Sequence, residues 1–165
     1  MNKAEEKLAR LLTEMGITLA VVESATGGLI SHRITNISGS SSYYKGSITA
    51  YSNEIKLKLV GVRVETLTAH GAVSHEIARQ MAEGGRRVLQ ADICIADTGI
   101  AGPGGGSDEK PVGLVYIAIA DRSTSESRRF VFSGSRLENK RNFADAALSW
   151  LVCYLENRKN QKKSF

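Results

Sequence analysis

Two short segments carry residues that could do chemistry together. Tyr51-Ser52-Asn53-Glu54-Ile55-Lys56 sets a lysine in what reads as the opening turn of a helix. Glu23-Ser24-Ala25-Thr26-Gly27-Gly28 sets a serine where a strand should end and a glycine-rich helix start should begin. A hydroxyl held against a neutral amine is an activated nucleophile that needs neither histidine nor metal. Whether the pair exists is a question of fold, because 32 positions separate Ser24 from Lys56.

Each residue also has a plainer explanation. A serine just after a strand is commonly a helix N-cap. The alternative for Ser24 rests on Thr26, Gly27 and Gly28, whose helix-start N–H groups would face an anion or a developing oxyanion. The pattern is not the G-x-S-x-G elbow, since Val22 and Thr26 stand where the glycines belong. A lone lysine on a helix is commonly a solvated charge. Lys56, however, falls in a first turn, where the helix dipole disfavours a cation. The dipole contributes at most ~2 kcal/mol, whereas lowering a lysine to ~7–8 takes roughly 3–4 kcal/mol, so Lys56 acts as a base only if it is also desolvated. Tyr51 reads either as a core aromatic or as a phenol that orients the amine or relays a proton to it.

A third segment, Gly99-Ile100-Ala101-Gly102-Pro103-Gly104-Gly105-Gly106, follows a buried strand and offers almost bare backbone. It reads as a flexible turn or as a cradle of N–H groups for an anion, in which Thr98, Gly102, Gly104 and Gly105 would touch the ligand. It has neither the G-K-[ST] ending of a P-loop nor the G-x-G-x-x-G spacing. Arg136 and Arg141, near the start of the last helix, are candidates for added positive charge.

The elements that must position these groups alternate early and cluster late. Leu8, Leu11, Leu12 and Met15 mark a first helix stopped at Gly16. Ile17 to Val22 predicts a buried strand, Thr26 to Thr35 a helix, Asn36 to Ser42 a loop, and Tyr43 to Tyr51 a strand weakened at Gly46. Asn53 is expected to cap the helix that carries Lys56, with Gly61 ending it. A helical turn over Val64 to His70 precedes a long helix capped by Ser74, whose adjacent Gly84 and Gly85 are tolerable where a neighbour comes close. Ile93 to Thr98, Val112 to Ala120 and Ser127 to Phe132 read as strands, the last two as a hairpin around Asp121 to Glu126. A helix from about Ser135 carries the stripe Phe143, Ala146, Ala147, Trp150, Leu151, Tyr154 and Leu155. This order predicts an α/β fold, a three-layer α/β/α sandwich with a mixed, partly parallel sheet. Ligands in open sheets of this kind bind beyond the carboxyl ends of strands, where Ser24 and the loop after Thr98 both fall.

Composition sets the outer limits. The chain has 165 residues, 42% hydrophobic and 24% charged, with formal net charge +5. That fits one domain, assigned to residues 1–157, followed by a basic flexible tail over residues 158–165. The tail carries much of the excess charge, so nucleic-acid binding is not expected. Cys94 and Cys153 read as small core residues of a reduced compartment, and the three scattered histidines offer no zinc set. No apolar run reaches membrane length and the start does not resemble a signal peptide, so the expectation is a cytoplasmic protein that binds no membrane.

Taken together, Glu23 to Gly28, Tyr51 to Lys56, His70-Gly71-Ala72-Val73-Ser74, Gly99 to Gly106 and Lys110-Pro111-Val112-Gly113 resemble the CinA C-terminal domain family over about residues 5 to 155. In length the chain is similar to the family's stand-alone nicotinamide-nucleotide amidases. The resemblance implies deamidation of nicotinamide mononucleotide, a small-molecule pyridine nucleotide, to nicotinate mononucleotide and ammonia. It implies Ser24 as nucleophile, Lys56 as its partner and Tyr51 beside them, with no metal, no cofactor and a homodimer. The other reading is a non-catalytic domain that binds nucleotides or partner proteins. The chain departs from the family pattern at Ala25, where cysteine is frequent, at Asp97, where serine is common, and at Lys140-Arg141, which fills a basic pair. Asp97 is expected to place a carboxylate near the ligand loop and so to alter substrate preference.

Overall fold

A computed structural model describes residues 3–163 of the chain. Its elements in chain order are α1 (Lys3–Met15), β1 (Leu19–Glu23), α2 (Leu29–Thr35), β2 (Tyr44–Thr49), α3 (Asn53–Val60), α4 (Val64–His70), α5 (His75–Val88), β3 (Ile93–Gly99), β4 (Leu114–Ala120), β5 (Ser125–Val131) and α6 (Arg136–Lys163), with a short 3-10 turn at Ser40–Ser42. The five strands form one sheet in the order β2-β1-β3-β4-β5. β1 runs parallel to both β2 and β3, while β3–β4 and β4–β5 are antiparallel. The mixed sheet with helices on both faces is the architecture the element order predicts.

Alternation along the strands sorts two unequal cores. Leu19, Val21, Ile93, Ile95, Val115, Ile117 and Ile119 face α1, α2 and α6, where Leu8, Leu12, Ile34, Phe143, Leu148 and Leu151 complete a bulky cluster. Each such side chain contributes about 1.5–3 kcal/mol by leaving water. The other face is built from small residues, Ala20, Val22, Cys94, Ala96, Ala118 and Ala120, and α5 lies close upon it through Ala78 and Ala82. That closeness explains the paired glycines. A Cβ on Gly85 would sit 2.2 Å from Val22 Cγ2, and one on Gly84 would sit 1.6 Å from the Val60 carbonyl oxygen.

Several boundaries differ from the sequence reading. The cap of α3 is Ser52, whose hydroxyl accepts from the Ile55 N–H, and Asn53 is the first helical residue. α2 starts at Leu29, because Gly27 and Gly28 take positive φ of 60° and 102°. The register slip between β1 and β2 falls opposite Lys45, beside Gly46 at φ 134°. α6 continues to Lys163 rather than fraying at residue 158. Arg158 bonds to Asp121 and Lys159 to Glu14, which ties this part of the predicted tail to the body. Residues 164 and 165 of that tail lie outside the described residues. Cys94 is buried as expected, but Cys153 is exposed. Among the described residues no helix is long and apolar enough to cross a membrane.

Candidate active site

β1 ends at Glu23 and delivers Ser24 to the carboxyl edge of the sheet, while α3 approaches the same edge from β2. Lys56 and Val60, four residues apart, share the buried face of α3. The side chain of Lys56 therefore points inward and not to solvent. Its Nζ lies 3.0 Å from Ser24 Oγ and donates to the Tyr51 carbonyl oxygen at 3.0 Å. Lys56 is only 2% exposed and Ser24 7%. Burial pulls the lysine below its ordinary pKa, and a charge on Asp97 acts in the opposite direction. The desolvation that the sequence left open is thus present.

The turn that carries Ser24 is fixed by two buried carboxyl groups. Asp97 accepts the N–H of Ser24 and of Thr26, each at 3.2 Å. Glu23 accepts the N–H of Gly28 at 2.8 Å, of Ile30 at 3.0 Å and of Ser31 at 2.9 Å, and so caps the start of α2. Thr26 is fully buried, its hydroxyl lodged between Glu23 and Asp97. These contacts correct the sequence reading. The amides of Thr26 and Gly28 are occupied, and Thr26, Gly27 and Gly28 do not line the pocket. The Ala25 N–H does border it and bonds to no described residue. Asp97 is fully buried under the Ser24 turn and is not among the pocket-lining residues.

The pocket beside Ser24 and Lys56 has a volume of about 290 Å³, at the small end of the ligand-pocket range of roughly 300–1,000 Å³. Its far wall is the loop after β3, including Gly102, Gly104 and Gly105, whose amides bond to no described residue. Thr98 lines it too, with its hydroxyl committed to the Ala72 carbonyl at 2.7 Å. Arg136 closes the mouth. Its guanidinium donates to the Gly102 carbonyl at 2.7 Å and to the Tyr51 hydroxyl at 3.0 Å. Tyr51 is 60% exposed and meets Lys56 through its carbonyl, so its phenol neither belongs to the core nor relays a proton to the amine. Arg141 is exposed and away from the pocket.

Of the sequence candidates, then, Ser24, Lys56, Tyr51, Thr98, Gly102, Gly104, Gly105 and Arg136 converge, and Thr26, Gly27, Gly28 and Arg141 do not. The sequence reading missed Asn53, Ala72 and Val73 as wall residues, and missed Glu23 as the cap of α2. An acidic residue ending a strand just before helix-start glycines was the available signal for the cap. A larger groove of about 540 Å³ lies at the opposite end of the sheet, between the β4–β5 turn and α6. Its polar groups are engaged with each other, Asp121 with Tyr154 and Arg158, and Arg128 over the Trp150 ring. Ser123 Oγ donates there to Asp121 at 2.9 Å, but the hydrogen bonds that Asp121 accepts outweigh its burial and hold its carboxyl well below the usual range, which makes it a poor base. Among the described residues no cluster of His, Cys, Asp and Glu could hold a metal ion.

Comparison with known proteins gives a match to the CinA C-terminal domain over residues 1–155. A CinA-like protein of Chloroherpeton thalassium is 50% identical over 149 residues, covering 88% of this chain and 36% of that protein. A putative competence-damage inducible protein of Moorella thermoacetica is 52% identical over 144 residues, covering 87% of this chain and 35% of that protein. The chain thus spans about a third of the length of these curated relatives. Among solved structures, the competence damage-inducible protein A of Klebsiella pneumoniae superposes with a TM-score of 0.90 at 32% identity, covering 93% of this chain and 96% of that one. The competence/damage inducible protein CihA of Agrobacterium tumefaciens gives 0.88 at 38% identity, covering 94% and 97%.

Proposed function

Since the chain belongs to the CinA C-terminal domain family, we propose that it is an amidohydrolase that converts nicotinamide mononucleotide to nicotinate mononucleotide and ammonia through an acyl-enzyme on Ser24. The observation that carries this reading is the 3.0 Å approach of the buried Lys56 amine to Ser24 Oγ. A lysine whose proton is loosened by burial is suited to take the hydroxyl proton at moderate pH.

In the proposed sequence, Ser24 Oγ attacks the carboxamide carbon as its proton passes to Lys56 Nζ. The carbonyl oxygen takes up the negative charge beside the free Ala25 N–H, which replaces the helix-start donors expected from sequence. The C–N bond breaks, Lys56 returns its proton to the departing amine, and ammonia leaves. Water then adds to the ester, giving a proton to Lys56, and Ser24 recovers that proton as nicotinate mononucleotide departs. The Tyr51 carbonyl fixes the amine between these exchanges. At the other end of the pocket, the amides of Gly102, Gly104 and Gly105 and the guanidinium of Arg136 supply donors for a phosphate.

Ammonia release from nicotinamide mononucleotide, with free nicotinamide as control, tests the proposal. Turnover of the nucleotide that is lost in Ser24→Ala supports it. Ligand-induced stabilisation with no ammonia would favour a binding domain instead. A homodimer and a cytoplasmic setting belong to the same proposal, and sedimentation equilibrium tests the first.

A further inference from the structure

One hydroxyl lies between two buried acids. Thr26 Oγ1 is 2.6 Å from Glu23 Oε2 and 2.5 Å from Asp97 Oδ1, and all three residues are fully buried. A threonine hydroxyl has a single proton and donates once. Two short contacts to two carboxylates would leave one pair of oxygens facing each other with nothing between them. A second proton on one of the acids resolves this.

The surroundings say which acid carries it. Glu23 accepts four further donors, from the amides of Gly28, Ile30 and Ser31 and from the Ser31 hydroxyl. That set suits a full negative charge at the start of α2. Besides Thr26 Oγ1, Asp97 receives only two amides, both at 3.2 Å. We propose that Asp97 is a positioning residue for Ser24 that works as a neutral acid, donating to Thr26 Oγ1 while Thr26 donates to Glu23.

The value of neutrality lies in what Asp97 sits beside. Its charge acts on Lys56 in the direction that tightens the amine's hold on its proton. As a carboxylic acid it anchors the Ser24 turn through the Thr26 amide without that penalty. Burial and the neighbouring Glu23 charge push the Asp97 carboxyl up to about 6, opposed by the hydrogen bonds from Thr26 and Ser24. The ionisable groups facing it are Glu23 on β1 and Lys56 on α3. β4 places Ile117 opposite, and α6 brings the Lys140 amine to Gly27 at the far end of the turn. Above the pH at which the proton leaves, the new carboxylate raises the pKa of Lys56, so a permanently neutral side chain at 97 moves that lysine down or leaves it where it was.

The role in catalysis rests on the Ser24–Lys56 reading, but the proton does not, and the test separates them. Infrared spectra of the wild-type protein at about pH 5.5 should contain a buried carboxylic-acid C=O band that shifts on 13C-labelling of aspartate and is missing in Asp97→Asn. A band that shifts with glutamate labelling, or carboxylate bands alone, overturns the proposal, whatever the enzyme does. In ammonia release from nicotinamide mononucleotide, Asp97→Asn should keep kcat/KM within about threefold of wild type, and Asp97→Ala should lose tenfold or more. The acidic limb of the pH profile should lie at the same or lower pH in Asp97→Asn. Equal loss in both variants, or a limb moved to higher pH, refutes the neutral role. A wild type that releases no ammonia refutes the Ser–Lys reading and leaves the spectra to decide the proton.

Discussion

Gly84 of α5 lies against the Val60 carbonyl at the end of α3, so close that a Cβ would come within 1.6 Å of the oxygen. α3 is the helix that carries Lys56. The long helix on the small-residue face of the sheet therefore sets the height of the proposed base above the proposed nucleophile.

Gly84→Ala should push α3 outward. Overpacking of this kind costs about 1–3 kcal/mol. Urea denaturation should show that loss, and ammonia release should fall further than the loss of folded protein explains, since Lys56 would leave hydrogen-bonding range of Ser24.

Ser24→Ala and Lys56→Met should each remove ammonia release while the circular dichroism spectrum stays that of the wild type. They should differ in stability. The folded state lowers the affinity of Lys56 for its proton relative to the unfolded chain, so the unfolded state binds more protons and stability rises with pH up to the unfolded lysine value of 10.5. Lys56→Met should accordingly raise Tm at neutral pH, with the gain shrinking as pH approaches that value.

Asp97 works in the opposite sense. Its carboxyl is pushed up to about 6 from an ordinary 3.8. Across that interval the folded chain binds a proton that the unfolded chain does not, and stability falls as pH rises through it, by on the order of 2–3 kcal/mol. Denaturation of wild type and Asp97→Asn at intervals from pH 4 to 7 should show this slope in their difference, flat below about 4 and above about 6.

Arg136→Ala should raise KM for nicotinamide mononucleotide by about tenfold or more, the scale of one lost charge-assisted contact, with a smaller effect on kcat. Arg136→Lys should not restore it, because a single ammonium cannot bridge the Gly102 carbonyl and the Tyr51 hydroxyl as the guanidinium does. Arg141→Ala should leave KM unchanged. Steady-state kinetics of the three variants checks all of this.

Cys153 is exposed and Cys94 is buried in the sheet, where burial raises its thiol pKa far above the ordinary range. A thiol reagent should modify one cysteine in the native protein and the second only after unfolding. Mass spectrometry of the labelled peptides assigns them.

The sequence carried the layer architecture and the Ser24–Lys56 pair, for reasons that are visible in the result. Buried strands of five to seven residues and helices with one apolar stripe leave strong periodic signals, and glycines at helix ends mark where they stop. Local signals failed where tertiary contacts decide. Asn53 and Ser52 are equally good caps on paper, and only the turn after β2 selects Ser52. Tyr51 read either as a core aromatic or as a phenol serving the amine, and the partner its hydroxyl takes, Arg136, lies 85 residues away. Thr26, Gly27 and Gly28 looked like free donors because nothing local says that Asp97, from another strand, and Glu23, folding back over its own turn, occupy the amides of Thr26 and Gly28. Cys153 falls near an apolar stripe, yet it lies on the outer side of α6 between the buried Val152 and Leu155.

The Glu23 cap makes the two walls of the pocket unequal targets for redesign. The amides of Gly28, Ile30 and Ser31 all end on Glu23, and replacing that acid is paid for in folding before it can alter selectivity. The glycine loop has amide donors left over, and at Gly104 a side chain would meet nothing within 4 Å. Libraries meant to retune which ligand the pocket takes belong there.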